Sequence, residues 1–202
     1  MSASAQPVCC SSMRQSGFSL ITTLILLVIV SMLGITASQM VLMSERTSRF
    51  DRDSHIAFQA AEAALVDAEL DIQGPNNPSK PRMAVFESKN RVDFTLGCGT
   101  GLDLRGLCAQ ALPPQKPVWY QVDFTDESAN AKTVKFGEFT GRTFAVGATG
   151  IRPEIAPRYI VEVIPDPTPA ATPNDVLYRI TAMGFGPRKE TQAVLQVVFR
   201  KA

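Results

Sequence analysis

One long uncharged stretch limits what this chain can fold into. Residues 18–44 contain no charged side chain, and most of them are Leu, Ile, Val, Met, Thr or Ser. A helix needs about 20 apolar residues to cross a bilayer core about 30 Å thick, whereas the apolar part of a secretory signal has about 7–15. The stretch therefore predicts one transmembrane helix. A cleaved signal, with a weak small-residue site around 34–38, is the alternative.

The charges beside this stretch do not fix its orientation. Arg14 precedes it, as expected for a cytoplasmic amino terminus, but Arg46, Arg49 and Arg52 follow it. The formal net charge of +1 over 202 residues gives no sign of a nucleic-acid surface or a basic lipid-binding patch. Orientation must therefore be inferred from other features.

A polar, basic segment ends in Gly17, and Phe18 opens the apolar stretch. The sequence Arg-Gln-Ser-Gly-Phe-Ser-Leu-Ile at 14–21 resembles the class III signal of type IV prepilins. The resemblance implies that prepilin peptidase cuts between Gly17 and Phe18 on the cytoplasmic side, and that the new amino group of Phe18 is methylated. Such a cut leaves the helix on the protein, first as an inner-membrane anchor and later as a packing element of a filament.

The segment before the cut is long for such a signal. It has 17 residues, and Met13 offers a second start that would leave a leader of five. We predict that translation can begin at Met13, in which case Cys9 and Cys10 would be absent from the protein. No apolar stretch precedes these two cysteines, which argues against a lipoprotein signal.

The helix is predicted to continue beyond the membrane. Residues 45–72 contain no Pro or Gly, and Gly74 and Pro75 then stop the helix. From 18 to 72 it would be roughly 80 Å long at 1.5 Å per residue. Apolar residues recur there at helical spacing, with the acids expected largely outside the apolar face. The face comprises Ala57, Ala61, Ala64, Leu65, Ala68 and Ile72, and the acids are Glu62, Asp67, Glu69 and Asp71.

Short apolar segments separated by Pro, Gly, Asn and Asp follow residue 74, which is typical of a β-rich domain. In the last segment Leu195, Val197 and Phe199 alternate with polar residues, so one face should pack inward. The apolar stripe of the helix is its natural partner. This predicts an α+β fold, with the long amino-terminal helix packed on a carboxy-terminal antiparallel sheet. The predicted strands are 118–124, 159–164, 176–183 and 193–200, with a hairpin connection at 184–190.

Several motifs spread along the chain share one resemblance. They are Phe-Gln-Ala-Ala-Glu-Ala at 58–63, Gly-Leu-Cys at 106–108, Pro-Val-Trp at 117–119, Pro-Arg-Tyr-Ile-Val-Glu at 157–162, Tyr-Arg-Ile-Thr-Ala at 178–182, Gly-Phe-Gly at 184–186, and Val-Leu-Gln at 194–196 with Phe-Arg at 199–200. Together they resemble the PilX-type minor pilins of type IV pili, with 75–97 and 126–152 unmatched.

This resemblance implies a division of the chain and a set of partners. The expected parts are a cytoplasmic leader at 1–17, the transmembrane half of the helix at 18–44, an amphipathic spine at 45–73 and a periplasmic β-rich domain at 74–202. The implied partners are other minor pilins, the major pilin, the prepilin peptidase and methylase, and the inner-membrane assembly platform. The protein would move from the inner membrane to the pilus on the cell surface.

Cys98 and Cys108 flank a Gly-rich loop. Disulfides persist in oxidising compartments such as the periplasm, and a bridge closing this loop would stabilise the fold by about 2–3 kcal/mol. The alternative is a metal or redox pair. However, the sequence has no second downstream Cys pair or nearby His to complete a zinc site, and the spacing is not Cys-x-x-Cys. We predict a structural disulfide.

No motif in the sequence predicts catalysis. His55 is the only histidine, and it lies on the predicted spine, so we interpret it as a solvated or filament-interface residue. There is no phosphate-binding Gly loop with a following Lys and Ser/Thr. Asp126 and Glu127 suit a solvated turn better than a calcium loop. We therefore predict a protein that is not an enzyme and that needs no metal or cofactor.

One departure from the pilin pattern bears on function. Major pilins carry Glu at the fifth position of the processed chain, where the carboxylate can compensate the buried amino terminus of a neighbouring subunit. Counting from Phe18, that position is Thr22, and the first acid is Glu45. A shaft built only of this subunit would lack that pairing throughout. The sequence therefore favours a rare subunit that primes pilus assembly, near the tip, and so supports attachment and twitching motility.

Two alternatives remain open at this point. One is a minor pseudopilin of a type II secretion system, although the K-type pseudopilins that share the missing acid are usually larger. The other is a single-pass, membrane-anchored adhesive module whose loops 75–117 and 126–157 carry ligand specificity.

Overall fold

A computed structural model describes residues 18–87, 91–101, 103–147, 151–169, 172 and 175–201. Gly17 and the rest of the expected leader, including Met13, lie outside the described residues. The chain divides after Ser48 into two compact units, which are taken in turn below.

Helix α1, Phe18–Gln73, supplies all of the described part of the first unit. It is the one helix among the described residues that is long and apolar enough to cross a membrane. None of its most apolar 18-residue stretch is buried, whereas the core helix of a soluble domain would be mostly buried. Its hydroxyl groups donate to carbonyl oxygens of the preceding turn, as from Thr23 to Leu20 (2.9 Å) and from Ser31 to Leu27 (2.7 Å). These bonds satisfy polar groups that would otherwise be costly in lipid.

In the second unit α1 ends where the sequence predicts. Gly74 has a φ of +87°, a left-handed conformation that glycine adopts without steric cost. Its N–H donates to the Leu70 carbonyl oxygen at 2.7 Å, and the Asn76 side chain donates to that of Asp71 at 3.0 Å. These bonds satisfy carbonyl groups at the end of the helix.

The rest of the described part of the second unit is a five-stranded sheet with two short helices. The elements are α2 Met83–Glu87, β1 Leu107–Ala109, α3 Val118–Gln121, β2 Val134–Lys135, β3 Arg158–Pro165, β4 Val176–Phe185 and β5 Gln192–Phe199. Strand β3 pairs antiparallel with β4, and β4 with β5, over eight residue pairs each. The other edge of β3 is shared by β1, which runs parallel to it, and by β2, which runs antiparallel.

The last three strands and the hairpin were predicted correctly, but two expectations were wrong. The sheet is mixed because β1 joins it in parallel. Residues 118–124 do not form a strand: Val118–Gln121 is one helical turn that follows Pro117. Val118 and Phe124 are buried there, while Tyr120 is exposed. The backbone turns between the buried residues Val118 and Phe124, so apolar and aromatic composition alone wrongly identifies this segment as a strand.

Both faces of the sheet are covered. Helix α1 packs on one face, where Ala64, Ala68 and Ile72 join the core formed by inward-facing residues of β3 and β4. Val197 and Phe199 of β5 pack against that core, which confirms the predicted inward face of the last strand. The opposite face carries a second core that includes Ile160 and Phe185 of the sheet. Segment 98–124 covers it with Cys98, Cys108, Val118 and Phe124.

Candidate functional site

The start of α1 carries the residues expected to govern processing and assembly. Phe18 is the first described residue of the helix. Thr22 lies one turn further along and is half-buried, and its hydroxyl donates to the Ser19 carbonyl oxygen at 2.9 Å. The side chains of α1 that surround this position in sequence are largely exposed, Leu20 at 70% and Ile21 at 58%. This surface of the unit is therefore accessible to lipid or to another helix.

The spine of α1 carries two fully buried carboxylates, Asp67 and Asp71. The expectation that both lie largely outside the apolar face was wrong. They continue the three- and four-residue spacing set by Ala60 and Ala64, so the helix turns them towards the sheet. This spacing is visible in the sequence. What the sequence lacked was any sign of the partners that make such burial tolerable.

Asp71 is held by a buried arginine that follows the helix in sequence. Nε of Arg82 donates to both carboxylate oxygens at 3.0 Å, and Nη2 donates to one of them. The Tyr159 hydroxyl donates to the same carboxylate at 2.9 Å. Burial, with the neighbouring carboxylate charge of Asp71, raises the pKa of Tyr159 well above its usual value. The phenol therefore remains a neutral donor at physiological pH.

Arg82 also ties two loops to the helix. Its Nη1 donates to the carbonyl oxygens of Arg105 at 2.6 Å and Asp103 at 3.4 Å. Its guanidinium lies 3.7 Å from the centroid of the Phe139 ring and 5.6 Å from that of Phe86. All three nitrogens of the planar cation thus donate hydrogen bonds, and the guanidinium lies over the Phe139 ring, which is an arrangement in which an arginine can be buried.

Asp67 is held by a different set of partners. Its carboxylate accepts hydrogen bonds from the Gly137 N–H at 2.7 Å and from the Thr140 hydroxyl at 2.5 Å, and Nη1 of Arg142 lies 3.7 Å away. Burial raises its pKa above the ordinary value, although these hydrogen bonds and the Arg142 charge oppose the shift. Asp67 and Asp71 together anchor residues 82, 137–140 and 159 on the spine.

Cys98 and Cys108 form a disulfide, as predicted. Both are buried in the second core. Hydrogen bonds from Gly99 N–H to the Leu107 carbonyl oxygen and from Gly106 N–H to the Gly99 carbonyl oxygen close the intervening loop. The bridge therefore joins β1 to the start of the segment that covers the second face of the sheet.

The residues considered for catalysis are not brought together. His55 is exposed on α1. Asp126 accepts from the Ser128 N–H at 2.8 Å, which is the solvated turn expected there. Within the described parts of the chain, no group of three or more His, Cys, Asp or Glu residues is placed to hold a metal ion.

Comparison with protein families identifies the chain. Residues 16–66 match the PilX N-terminal family, and residues 96–201 match the family described as type IV pilus assembly protein PilX, C-terminal. The chain belongs to the PilX family. The amino-terminal match runs through the apolar stretch into the alanine-rich spine, and the carboxy-terminal match covers all five strands. It also includes 126–152, which the resemblance in sequence had left unmatched. Searches of curated proteins and of solved structures found no match.

Membership of this family defines the function in outline. The chain is a minor pilin of type IV pilus assembly. PilX proteins are structural components of that assembly, and a single amino-terminal apolar helix fits a pilin anchored in a membrane.

Proposed function

We propose that this minor pilin primes assembly of the type IV pilus, in a complex with other minor pilins, and that it stays near the tip of the filament. Attachment and twitching motility would then depend on it indirectly. The observation that carries the proposal is Thr22. It stands at the fifth position after the expected cut, and no acid occurs on the helix before Glu45. An amino terminus buried in an apolar bundle would have no carboxylate partner from this subunit.

The proposal also includes the processing steps that make Thr22 the fifth residue of the processed chain. Prepilin peptidase cuts after Gly17 on the cytoplasmic face, Phe18 is methylated, and the domain from residue 74 lies in the periplasm before assembly. Two observations support it. The PilX N-terminal match includes both sides of the apolar stretch, which is expected if the helix is retained. The Cys98–Cys108 disulfide suits an oxidising compartment.

The decisive experiment changes the fifth position. Thr22→Glu should raise the amount of this subunit in sheared pili, relative to the major pilin, because the new carboxylate can pair with a neighbouring amino terminus. Thr23→Glu is the matched control, since it introduces the same charge one residue away, on another side of the helix. If Thr22→Glu enters the shaft no more than the wild type or the control, the missing acid does not determine the role.

Two further measurements test the rest of the proposal. Deletion of the gene should reduce surface piliation and twitching, and unchanged piliation and motility would refute a role in priming. The mass of the amino-terminal peptide should correspond to methylated Phe18. An intact initiating amino terminus would instead indicate a membrane-anchored module that is not processed as a pilin.

A further inference from the structure

A charged cleft of about 340 Å³ lies where β2 meets β3. None of the described residues that line it belongs to α1. Among the residues that the structure describes, six charged side chains line it, of which four are cations and two are carboxylates. The cations are Lys80, Arg105, Lys135 and Arg158, and the carboxylates are Glu127 and Glu138.

Glu138 is already engaged by three groups. One of its oxygens accepts from Nη1 of Arg105 at 2.8 Å and lies 3.9 Å from Nζ of Lys80. The other accepts from the backbone N–H of Lys135 at 3.4 Å. This carboxylate therefore compensates the charges of Arg105 and Lys80, but it does not compensate the side-chain charges of Lys135 and Arg158.

Arg158 is a buried cation whose close partners are neutral. It is 4% exposed, and its guanidinium donates to the hydroxyl of Thr133 at 2.7 Å and to the Thr133 carbonyl oxygen at 3.0 Å. Among the residues that the structure describes, no carboxylate lies within 4.0 Å of it. Burial lowers its pKa, and Glu138, Glu127 and Asp126 oppose that shift without contacting the guanidinium. Arg105 also lines the cleft, and its Nε is buried without a hydrogen-bond partner among the described residues.

Lys135 lies directly opposite Arg158 in the β2–β3 ladder, and opposite residues of an antiparallel pair project to the same face of the sheet. Among the described residues, no carboxylate lies within 4.0 Å of the Lys135 ammonium group. Like charges at opposite positions disfavour the pairing of two strands. An anion bound beside both residues would offset this unfavourable interaction.

We propose that this cleft binds an oxyanion, a carboxylate or a phosphate, between the side chains of Arg158 and Lys135. Nε and Nη2 of Arg158 already donate to Thr133, so the donors left for an anion are Nη1 and the second N–H of Nη2. That edge of the guanidinium is planar and fits two oxygens of one group, and an ammonium adds a charge that can approach from the side. Two sources supply this chemistry, namely the side chain of an acidic residue on a neighbouring protein subunit and a free ion from the surrounding solution. The proposal does not depend on the role in priming.

The test measures binding to the full-length chain in a non-ionic detergent by calorimetry, at constant ionic strength. Inorganic phosphate is the probe for a free ion, and N-acetylglutamate methylamide is the probe for an acidic side chain. The two cleft variants are Lys135→Gln and Glu127→Gln, which both change exposed residues of the lining. Lys132→Gln is the matched control, since Lys132 is exposed, lies three residues from Lys135 and does not line the cleft.

We expect saturable binding of at least one probe. Lys135→Gln should weaken it on the order of tenfold because one charged hydrogen bond is lost. Glu127→Gln should strengthen it because a repelling charge is removed, and Lys132→Gln should leave it within about twofold. Binding of phosphate alone assigns the site to a free ion, and binding of the glutamate derivative alone assigns it to a protein side chain. Absence of saturable binding to both probes, or equal weakening in Lys135→Gln and Lys132→Gln, would overturn the proposal.

Discussion

Gly184 is the point at which strand and spine come closest, and its substitution tests the packing directly. A Cβ placed on Gly184 would lie 2.1 Å from the Ala57 carbonyl oxygen and 2.2 Å from the Ala61 nitrogen. These two atoms are the acceptor and the donor of one backbone hydrogen bond of α1. Gly184 is in an extended strand without a positive φ, so the backbone itself would accept alanine, and the obstacle is entirely one of space.

The cost of Gly184→Ala follows from these distances. Ordinary contacts begin at 3.4 Å, so strand and helix would have to separate by about 1.3 Å at this point. Inserting atoms into a packed core costs about 1–3 kcal/mol. We expect about 3 kcal/mol, the upper end of that range, because the obstructing atoms belong to the helix backbone and cannot rotate away. The separation would also loosen the contacts of the neighbouring buried alanines, Ala60 and Ala64.

The single tryptophan makes the measurement specific to the second unit. Trp119 lies in α3, so its fluorescence during urea unfolding of the detergent-solubilised chain follows this domain and not the apolar part of α1. For a loss of about 3 kcal/mol and an m-value of about 1–3 kcal/mol/M, the urea midpoint should fall by about 1–3 M. Gly101→Ala is the matched control. No atom lies within 4 Å of a Cβ at that position, so stability should change by less than about 0.5 kcal/mol.

A second substitution separates a backbone clash from a side-chain clash. Ala61→Gly removes a methyl group from the helix but leaves the nitrogen that obstructs residue 184 in place. It should therefore fail to rescue Gly184→Ala. Rescue by Ala61→Gly, or a Gly184→Ala variant within about 0.5 kcal/mol of the wild type, would refute the packing argument.

The remaining predictions concern the buried charges and the disulfide. Arg82→Met should destabilise the domain by about 3–5 kcal/mol, because Asp71 would be left buried without its cation. Asp71→Leu combined with Arg82→Met should recover part of that loss. Arg188→Met is the control: Arg188 is exposed and lies 3.9 Å from Asp53, so its loss should cost less than about 1 kcal/mol. Equal losses in Arg82→Met and Arg188→Met would contradict the role of burial. Replacing both Cys98 and Cys108 with Ser should lower the free energy of unfolding by about 2–3 kcal/mol, and reductant should destabilise only the wild type; a further loss on reducing the variant would show that another effect is responsible. Asp67 has a raised pKa in the folded protein, so its contribution to stability is fully present below the ordinary value of 3.8 and is lost as the pH rises through the raised value. The free energy of unfolding of the wild type minus that of Asp67→Asn should therefore fall as the pH is raised from about 3, and a difference that rises with pH would disprove the assignment.

The sequence predicted those elements whose pattern is local. The continuous helix, its end at Gly74 and the alternation in β5 depend on residue spacing within one segment, and all three agree with the structure. The disulfide was also predictable, because Cys98 and Cys108 had no competing partner beyond the apolar stretch.

The errors arise where distant residues determine the outcome. Asp71 could be recognised as buried only by knowing that Arg82 folds back onto it and that Tyr159 approaches from β3. Strands β1 and β2 have three and two residues, too few to show a period, and each is defined by its pairing with β3. Residues 118–124 had the composition of a strand, but no edge of the sheet receives them, and Val118 and Phe124 pack into the second core instead.

The separation of the chain into two units sharpens the test of function. Thr22 lies in the first unit, whereas both cores, the disulfide and the buried ion pair lie in the second. Thr22→Glu and Thr23→Glu should therefore leave the urea transition followed by Trp119 unchanged. A change in pilus incorporation would then reflect helix packing in the filament and could not be attributed to a misfolded domain. Gly184→Ala should do the reverse, reducing incorporation in proportion to the fraction of unfolded domain. If Thr22→Glu altered both the urea midpoint and incorporation, the fifth position would no longer be a specific determinant of the role in the pilus.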